Sequence, residues 1–247
     1  MVRFAKALGF AGWKEFAKAY ISEQHYQQTH YSNIDPNYPF LADSSTKDII
    51  AQMKTLQAEA LADTADLLSP HTVERVVDLM ARSKRIALFG MSPNSLIGEL
   101  FRRRMLTVGR LVEIPALGDS GLLAASLGEK DCAFIISYSG NSQNHDPLNT
   151  LRFLEPAKVP VIALTSLGEN YLRKHAAYTF SISSREKLFS KISTFATETS
   201  ILYILNVVFS VYFRRNYEQN LQQKVGNGRI LEAGRFSHTT ELREDHS

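Results

Sequence analysis

The chain has 247 residues, of which 44% are hydrophobic and 21% are charged, and this composition supports a packed core and excludes general disorder. Its 28 Lys and Arg residues against 25 Asp and Glu residues leave a formal net charge of +3, too small to indicate nucleic-acid binding by composition alone. One cysteine, Cys132, excludes a disulfide framework and a cysteine-based zinc site. The seven His residues have no metal-ligand spacing, so we expect no metal and no cofactor.

The sequence pattern indicates neither a membrane span nor a secretion signal. The longest apolar run, Thr199 to Phe213, contains two polar residues and is shorter than the ~20 apolar residues of a spanning helix. The first residues lack the apolar core and the cleavage site of a secretory signal. We therefore expect a cytoplasmic protein without a membrane partner.

The first part of the chain, residues 1–28, has a helical and aromatic pattern. Apolar residues recur at spacings of two to four, which predicts a helix from Val2 to Leu8, a stop at Gly9 and a second helix from Trp13 to about His25. Two short helices cannot bury these side chains well by themselves. We expect their partners to lie upstream or in a second copy, and this part to be poorly packed or swapped between subunits.

A linker and two helices follow. Residues 29–45 are predicted to be the linker, because Pro36 and Pro39 exclude a helix there. Ser45 then caps a long helix predicted from Thr46 to about Leu68, whose apolar stripe we expect to form part of a dimer interface. Ser69 and Pro70 open the next helix, as a capping residue followed by a proline at the first helical position.

From Arg85 onward, short apolar runs alternate with helical segments, which predicts an α/β fold with a parallel sheet covered on both faces. A long helix from about Ser193 to Tyr212 closes this domain, which spans residues 46–213, and the polar tail 214–247 is expected to be frayed or disordered. The prediction is therefore a five-stranded, doubly wound parallel sheet, with strands at Ile86–Phe89, Leu111–Ile114, Cys132–Ile136, Val161–Leu164 and Tyr178–Ile182.

Two strand-to-helix turns are rich in small hydroxyl residues. Ligands of parallel α/β sheets lie beyond the carboxyl ends of the strands, which directs attention to residues 90–95 and 137–144. Free backbone N–H groups, serine hydroxyls and a following helix N-terminus would together suit a phosphate group, and neither turn contains Lys or Arg. The plainer alternative is that each serine only caps the next helix, which is the better reading for a single serine. Three serines in one turn, Ser137, Ser139 and Ser142, favour a ligand.

The same turns resemble the two sugar-phosphate loops of the SIS (sugar isomerase) domain. The resemblance covers roughly Val73 to Tyr212, and its most specific part is the Ser-x-Ser-Gly-x-Ser/Thr pattern at 137–142. It implies that phosphate or sugar is bound by the following residues: Ser92, Ser137, Tyr138 through its N–H, Ser139, Asn141, Ser142 and, from a third and weaker similarity, Ser193.

The N-terminal residues 2–16 resemble the end of the helix-turn-helix domain of RpiR-type bacterial transcription regulators. That family joins such a domain to a C-terminal SIS domain that senses a phosphosugar. The resemblance implies a truncated helix-turn-helix remnant at 1–28, in which Arg3 and Lys6 could contact only DNA phosphates, or else be ordinary solvated charges. It further implies a sugar-phosphate effector, DNA as the partner of the complete regulator, and a homodimer or dimer of dimers.

Two other functions remain open at this level. A sugar-phosphate isomerase would need an acid–base group near the sugar, and the candidates are Glu198 and His145, the latter beside Asp146. Neither forms an evident acid–base pair, so we predict a protein that is not an enzyme and has no catalytic residues. A phosphosugar-binding protein without DNA contact also fits. A sensor needs only a difference in ligand affinity between two conformations.

Overall fold

The computed structural model of the protein describes residues 2–7, 11–18, 20–21, 32–235 and 239. Within these residues, short helices begin the chain, two longer helices follow the linker, and four strands then alternate with helices. Residues 13–18 are also helical. The helices are α1 Val2–Ala7, α2 Thr46–Leu67, α3 Pro70–Arg82, α4 Asn94–Leu106, α5 Ser120–Ala125, α6 Leu151–Leu154, α7 Tyr171–His175, α8 Phe195–Arg215 and α9 Tyr217–Leu231. The strands are β1 Ile86–Gly90, β2 Cys132–Ile136, β3 Val161–Ser166 and β4 Tyr178–Ile182.

The sheet is parallel and its strand order is β1-β2-β3-β4. The strands are continuous apolar runs because both faces of the sheet are covered by helices, and every residue of β2 is buried. The predicted fifth strand at Leu111–Ile114 is wrong, since in the described residues only Glu113 forms a bridge, to Ala87 at the β1 edge. Leu111 is 68% exposed. No other described segment packs over it to stabilise pairing along the whole predicted strand.

Two apolar cores lie on opposite faces of the sheet. One face packs against α3, α4 and α8, and the other against α5, α6 and α7. Gly98 lets α4 approach β1 closely, because a Cβ at this position would lie 2.5 Å from a methyl carbon of Leu88. The sheet is therefore a rigid support for the loops at the carboxyl ends of its strands.

Helix α8 is the central helix of the first core. Within the described residues it is the one helix long and apolar enough to span a membrane by length and composition. Its residues Ile201, Ile204, Leu205 and Val208 are fully buried against the sheet and the neighbouring helices, which accounts for its apolar composition. It begins at Phe195 rather than at the predicted Ser193.

The long helix α2 packs along α8 of the same chain. Leu56 and Ala60 are buried against Ala196, and the Thr64 hydroxyl contacts the Ser200 hydroxyl at 2.7 Å. Ile50, part of the predicted stripe, remains 67% exposed. The stripe is thus partly covered within one chain, so it does not need a dimer partner along its whole length.

The predicted linker and the predicted frayed tail both contain ordered residues. In the predicted linker, Pro36, Asn37 and Pro39 are buried against the domain, while residues 29–31 lie outside the described residues. The tail contains the helix α9, so the prediction of a frayed segment is wrong for residues 217–231. The described N-terminal aromatic residues contact one another, with the ring centroids of Phe4 and Phe16 5.5 Å apart. The predicted stop at Gly9 and the residues from 22 to 31 lie outside the described residues.

Candidate functional site

The two serine-rich loops start from neighbouring strands at the carboxyl edge of the sheet. The register pairs Gly90 at the end of β1 with Ile136 at the end of β2. Adjacent strands lie about 4.8 Å apart, so the loops beginning at Met91 and Ser137 leave the sheet side by side. This is the edge at which ligands of parallel α/β sheets bind.

The loop after β2, residues 137–144, is held in shape by its neighbours. Gly140 has φ +64°, and a Cβ here would lie 2.4 Å from Asn170 Oδ1 and 2.5 Å from Thr165 Oγ1. The Gly140 carbonyl accepts a hydrogen bond from the Leu172 N–H at 2.8 Å. Asn141 Oδ1 accepts one from the Tyr171 N–H at 3.0 Å. Only glycine fits this backbone without strain, because left-handed φ and the close approach both exclude a side chain.

This loop presents unused hydrogen-bond donors. Within the described part of the chain, the N–H groups of Tyr138, Ser139, Asn141 and Ser142 donate to no protein acceptor. The Ser137 hydroxyl oxygen accepts from the Gly140 N–H at 3.3 Å and keeps its own hydrogen to donate. Successive free N–H groups in a tight turn form an anion-binding concavity. The loop is therefore chemically suited to the oxygens of a phosphate group.

The side chain of Tyr138 points elsewhere. Its hydroxyl donates a shared hydrogen bond to the carbonyls of Ser184 at 2.9 Å and Glu186 at 3.1 Å. Burial raises the pKa of this phenol, so it stays a neutral donor. Of the donors of Tyr138, only the main-chain N–H has no protein acceptor among the described residues.

The helix after this loop is short and begins far from the strand. It consists of a 3₁₀ turn at Leu148–Thr150 followed by the four-residue helix α6. Eleven residues separate the end of β2 from this turn. A helix dipole therefore contributes little here, and the attraction for an anion has to come from the loop N–H groups and hydroxyls.

The loop after β1 is built differently. Ser92 is exposed, and the 13-residue helix α4 begins two residues later at Asn94. No side chain caps the first turn of α4. This loop therefore offers a hydroxyl and a helix N-terminus, which favours negative charge, beside the donor-rich loop.

Glu186 is a functional candidate that sequence reasoning missed. Its side chain is fully buried just before α8, where it accepts hydrogen bonds from the Ala196 N–H at 2.6 Å and from the Thr197 hydroxyl at 2.7 Å. Lys191 Nζ lies 3.7 Å from its Oε2 atom. Glu186 therefore caps the first turn of α8 through one main-chain N–H and one hydroxyl. It lies nine residues before α8, so no local capping pattern identifies it.

The remaining predicted residues lie around this centre. Ser193 is half-buried immediately before α8, and Glu198 accepts a hydrogen bond from the Thr194 hydroxyl at the start of the same helix. His145 is exposed after the loop 137–144. Arg3 and Lys6 are exposed on α1.

Two surface cavities are found in this part of the structure, and neither contains the serines of the two loops. A cavity of about 380 Å³ adjoins the end of the loop 137–144 and is lined by Gln143, Asn144, Leu148, Asn149, Arg152 and Tyr171. A second, of about 500 Å³, lies between α4 and α5. Neither is lined by Ser92, Ser137, Ser139 or Ser142. Ser92 and Ser142 are exposed and Ser137 and Ser139 are half-buried, and we call the surface formed by these two loops the ligand shelf. Within the described ranges, no three His, Cys, Asp or Glu side chains cluster to hold a metal ion.

The chain is an α/β protein with a parallel sheet and donor-rich loops at the carboxyl edge of that sheet. Residues 79–208, more than half of the chain, match the SIS domain family. The chain belongs to that family, which confirms the resemblance noted in its loops.

Similar proteins include transcription regulators. A protein of Haemophilus influenzae (strain ATCC 51907 / DSM 11121 / KW20 / Rd), described as an uncharacterized HTH-type transcriptional regulator, is 23% identical over 214 residues, covering 85% of this chain and 72% of the relative. The Vibrio vulnificus NanR protein complexed with ManNAc-6P superposes with a TM-score of 0.68 at 18% identity, covering 94% and 81% of the two chains.

Two further solved structures show how widely the fold is used. The sugar isomerase domain of the RpiR transcription factor from Sphaerobacter thermophilus has a TM-score of 0.64 at 17% identity, covering 73% of this chain and 98% of that one. A phosphoheptose isomerase from Francisella tularensis has a TM-score of 0.54 at 17% identity, covering 69% and 100%. The fold thus occurs in both regulators and enzymes, and fold alone does not choose between them.

Proposed function

We propose that the protein is a phosphosugar-responsive transcriptional regulator whose SIS domain binds a sugar phosphate at the shelf formed by the loops after β1 and β2. The observation that carries this proposal is the loop 137–144, in which Gly140 is packed against Asn170 while the neighbouring N–H groups remain unused. Donors held in place before the ligand arrives bind an anion at a small entropic cost. Ser137, Ser139, Asn141, Ser142 and the Tyr138 N–H hold the phosphate, and Ser92 and Ser193 contact phosphate or sugar hydroxyls.

The regulatory part of the proposal rests on the similar proteins and on the N-terminal pattern. The NanR structure, which superposes over 94% of this chain, is a complex with ManNAc-6P, so a sugar phosphate is the first effector to test. Arg3 and Lys6 are exposed cations on α1 and contact DNA phosphates in this proposal. The protein acts in the cytoplasm as a homodimer or a dimer of dimers, without a metal or cofactor.

The test is a thermal-shift screen against sugar phosphates that includes ManNAc-6P. At a ligand concentration of 100 times Kd, binding stabilises the folded state by about 2.7 kcal/mol, which raises the Tm of a domain of this size by roughly 5–10 °C. Ser137→Ala and Ser139→Ala should each lower that shift to about half, because a tenfold loss of affinity reduces the stabilisation to about 1.4 kcal/mol. Ser210→Ala, an exposed serine on α8, is the matched control and should keep the full shift. An undiminished shift in both loop variants contradicts the proposed site.

The rival function is a sugar-phosphate isomerase, since a phosphoheptose isomerase shares the fold and Glu198 lies at the start of α8. The Glu198 carboxylate is engaged by the Thr194 hydroxyl, which supports a capping role over a catalytic one. Turnover of pentose, hexose or heptose phosphates that is lost in Glu198→Gln would establish the enzyme. Retardation of DNA that depends on a bound sugar phosphate would establish the regulator.

A further inference from the structure

One segment, residues 184–192, contacts both the loop 137–144, which we call the phosphate loop, and Asn37 of the linker. At one side, the Tyr138 hydroxyl donates to the carbonyls of Ser184 and Glu186, and the Lys191 ammonium lies 5.8 Å from the centre of the Tyr138 ring. Glu186 fixes the segment to the start of α8. Tyr138 thus combines a main-chain N–H without a protein acceptor among the described residues with a side chain that is bonded to this segment.

At the other side, the segment is bonded to Asn37 of the linker. The Lys187 N–H donates to Asn37 Oδ1 at 2.6 Å, and the Ile192 N–H donates to the Asn37 carbonyl at 2.9 Å. Asn37 is 5% exposed, and its own N–H and Nδ2 both donate to Asp35 Oδ1 at 2.8 Å. The main-chain and side-chain hydrogen bonds from Asn37 lower the pKa of Asp35. The two oxygens of Asn37 thus hold the linker on the segment 184–192, and its two donors hold the linker turn together at Asp35.

A second contact supports the same docking. Glu59 on α2 accepts from the Ser32 N–H at 2.6 Å through Oε1 and from Arg185 Nη2 at 3.0 Å through Oε2. One carboxylate therefore joins the beginning of the described linker to the segment 184–192. The linker is attached at two points, and both involve the segment that contacts Tyr138.

We propose that the segment 184–192 couples occupancy of the phosphate loop to the docking of the linker 32–40 on the SIS domain, through Tyr138 at one side and Asn37 at the other. This inference rests on the proposed function. The coupling is positive, because a docked linker keeps Tyr138 in place and so lowers the entropic cost of ordering its N–H around a ligand. By linkage, a ligand on the loop tightens the docking by the same factor, which passes the signal to the helices that precede the linker.

The decisive experiment needs no ligand. Hydrogen exchange is measured in the full chain for Asn37→Ala and for the control Asn33→Ala, an exposed asparagine of the same linker. Coupling predicts that Asn37→Ala speeds exchange about fivefold at Lys187 and Ile192 and also at two distant amides. These are Gly140, whose N–H donates to Ser137 within the phosphate loop, and Leu172, whose N–H donates to the Gly140 carbonyl.

Tyr138→Phe tests the opposite direction by removing only the hydroxyl. It should speed exchange at Lys187 and Ile192, which lie at the linker side of the segment. The coupling is overturned if each variant speeds exchange only at amides whose own hydrogen-bond partner was removed. In that case the exchange rates of the distant amides equal those in the Asn33→Ala control. If Asn37→Ala unfolds the chain, Tyr138→Phe alone decides, because it keeps the ring and changes no linker residue.

A second measurement separates this inference from the proposed function. With ManNAc-6P as the probe, Asn37→Ala should weaken binding about threefold to tenfold relative to Asn33→Ala. The reason is that, if ligand binding favours linker docking, loss of docking must weaken ligand binding. An unchanged affinity in a variant whose linker exchanges freely overturns the coupling. If no sugar phosphate binds the wild-type chain while exchange still spreads from Asn37 to Gly140, the proposed function fails and the coupling stands.

Discussion

The loops after β1 and β2 leave the same edge of the sheet but are held by different forces. The loop 137–144 is fixed by packing of Gly140 on Asn170 and by hydrogen bonds from α7, and it offers several free N–H groups. The loop at 91–93 has an exposed serine, Ser92, and leads directly into α4. The loop 137–144 is rigid and rich in hydrogen-bond donors. The loop 91–93 instead depends on the N-terminus of α4 to attract an anion. Under the proposed function, this comparison predicts that the loop after β2 fixes the phosphate and that the loop after β1 adapts to the group attached to it.

The largest effect should come from Gly140→Ala. A Cβ would collide with Asn170 and Thr165 at about 2.5 Å, and the φ of +64° disfavours any side chain. Strain and overpacking together should lower the free energy of unfolding by about 2–4 kcal/mol and abolish sugar-phosphate binding. Urea denaturation and the thermal-shift screen measure the two effects.

The control for this prediction is Gly118→Ala, because Gly118 has φ +90° and no atom lies within 4 Å of the position that its Cβ would take. It should cost only the backbone strain, about 1–2 kcal/mol, and leave ligand binding intact. In an Asn170→Ala background, Gly140→Ala should cost less than it does alone, since one of the two colliding groups is gone. Equal costs for the two glycines would show that the β2 loop is not fixed by packing.

A smaller effect is expected for Glu186→Gln. The change keeps the shape but removes the charge that accepts from the Ala196 N–H and the Thr197 hydroxyl. Losing these charge-assisted bonds should lower the free energy of unfolding by about 1–2 kcal/mol. It should also weaken ligand binding through the Tyr138 contact. Glu129→Gln, at an exposed surface position, is the reference measured by the same denaturation and binding assays.

The smallest effect should come from the β1 loop. Ser92→Ala should weaken sugar-phosphate binding only about threefold, because Ser92 is exposed and water can replace its hydroxyl as a hydrogen-bond partner. Ser139→Ala should weaken it about tenfold, since a hydroxyl of the rigid loop bonds to a charged ligand. Isothermal calorimetry on both variants gives the ratio. A larger loss for Ser92 than for Ser139 reverses the assignment of roles to the two loops.

The sequence pattern predicted most of the local structure. Ser45 and Ser69 were identified as helix caps, and both accept the expected N–H hydrogen bonds. Four of the predicted strands are present because their apolar runs are buried on both faces, which is a local and readable signal. The fifth predicted strand, which begins at Leu111, is not formed. Strand pairing at a sheet edge depends on burial by other segments of the chain, and Leu111 remains exposed.

Part of the candidate site was readable in the same way. The serines of the loop 137–142 form a compact pattern, and the strand order places them beside Ser92. Glu186 was not readable, since its partners at Ala196 and Thr197 are reached only after the segment before α8 folds back. The docking of Asn37 on Lys187 was equally hidden, because the two residues are 150 positions apart.

Amino-acid order alone determined the alternation of strands and helices, the helix caps and the serine pattern, because each depends on residues within a turn or two of one another. Tertiary structure decided which hydroxyls and N–H groups remain unused, that Tyr138 turns away from the ligand shelf, and that the linker is docked. These features depend on contacts between distant segments, and the free energy of such contacts is defined only once the sheet and α8 have brought them together.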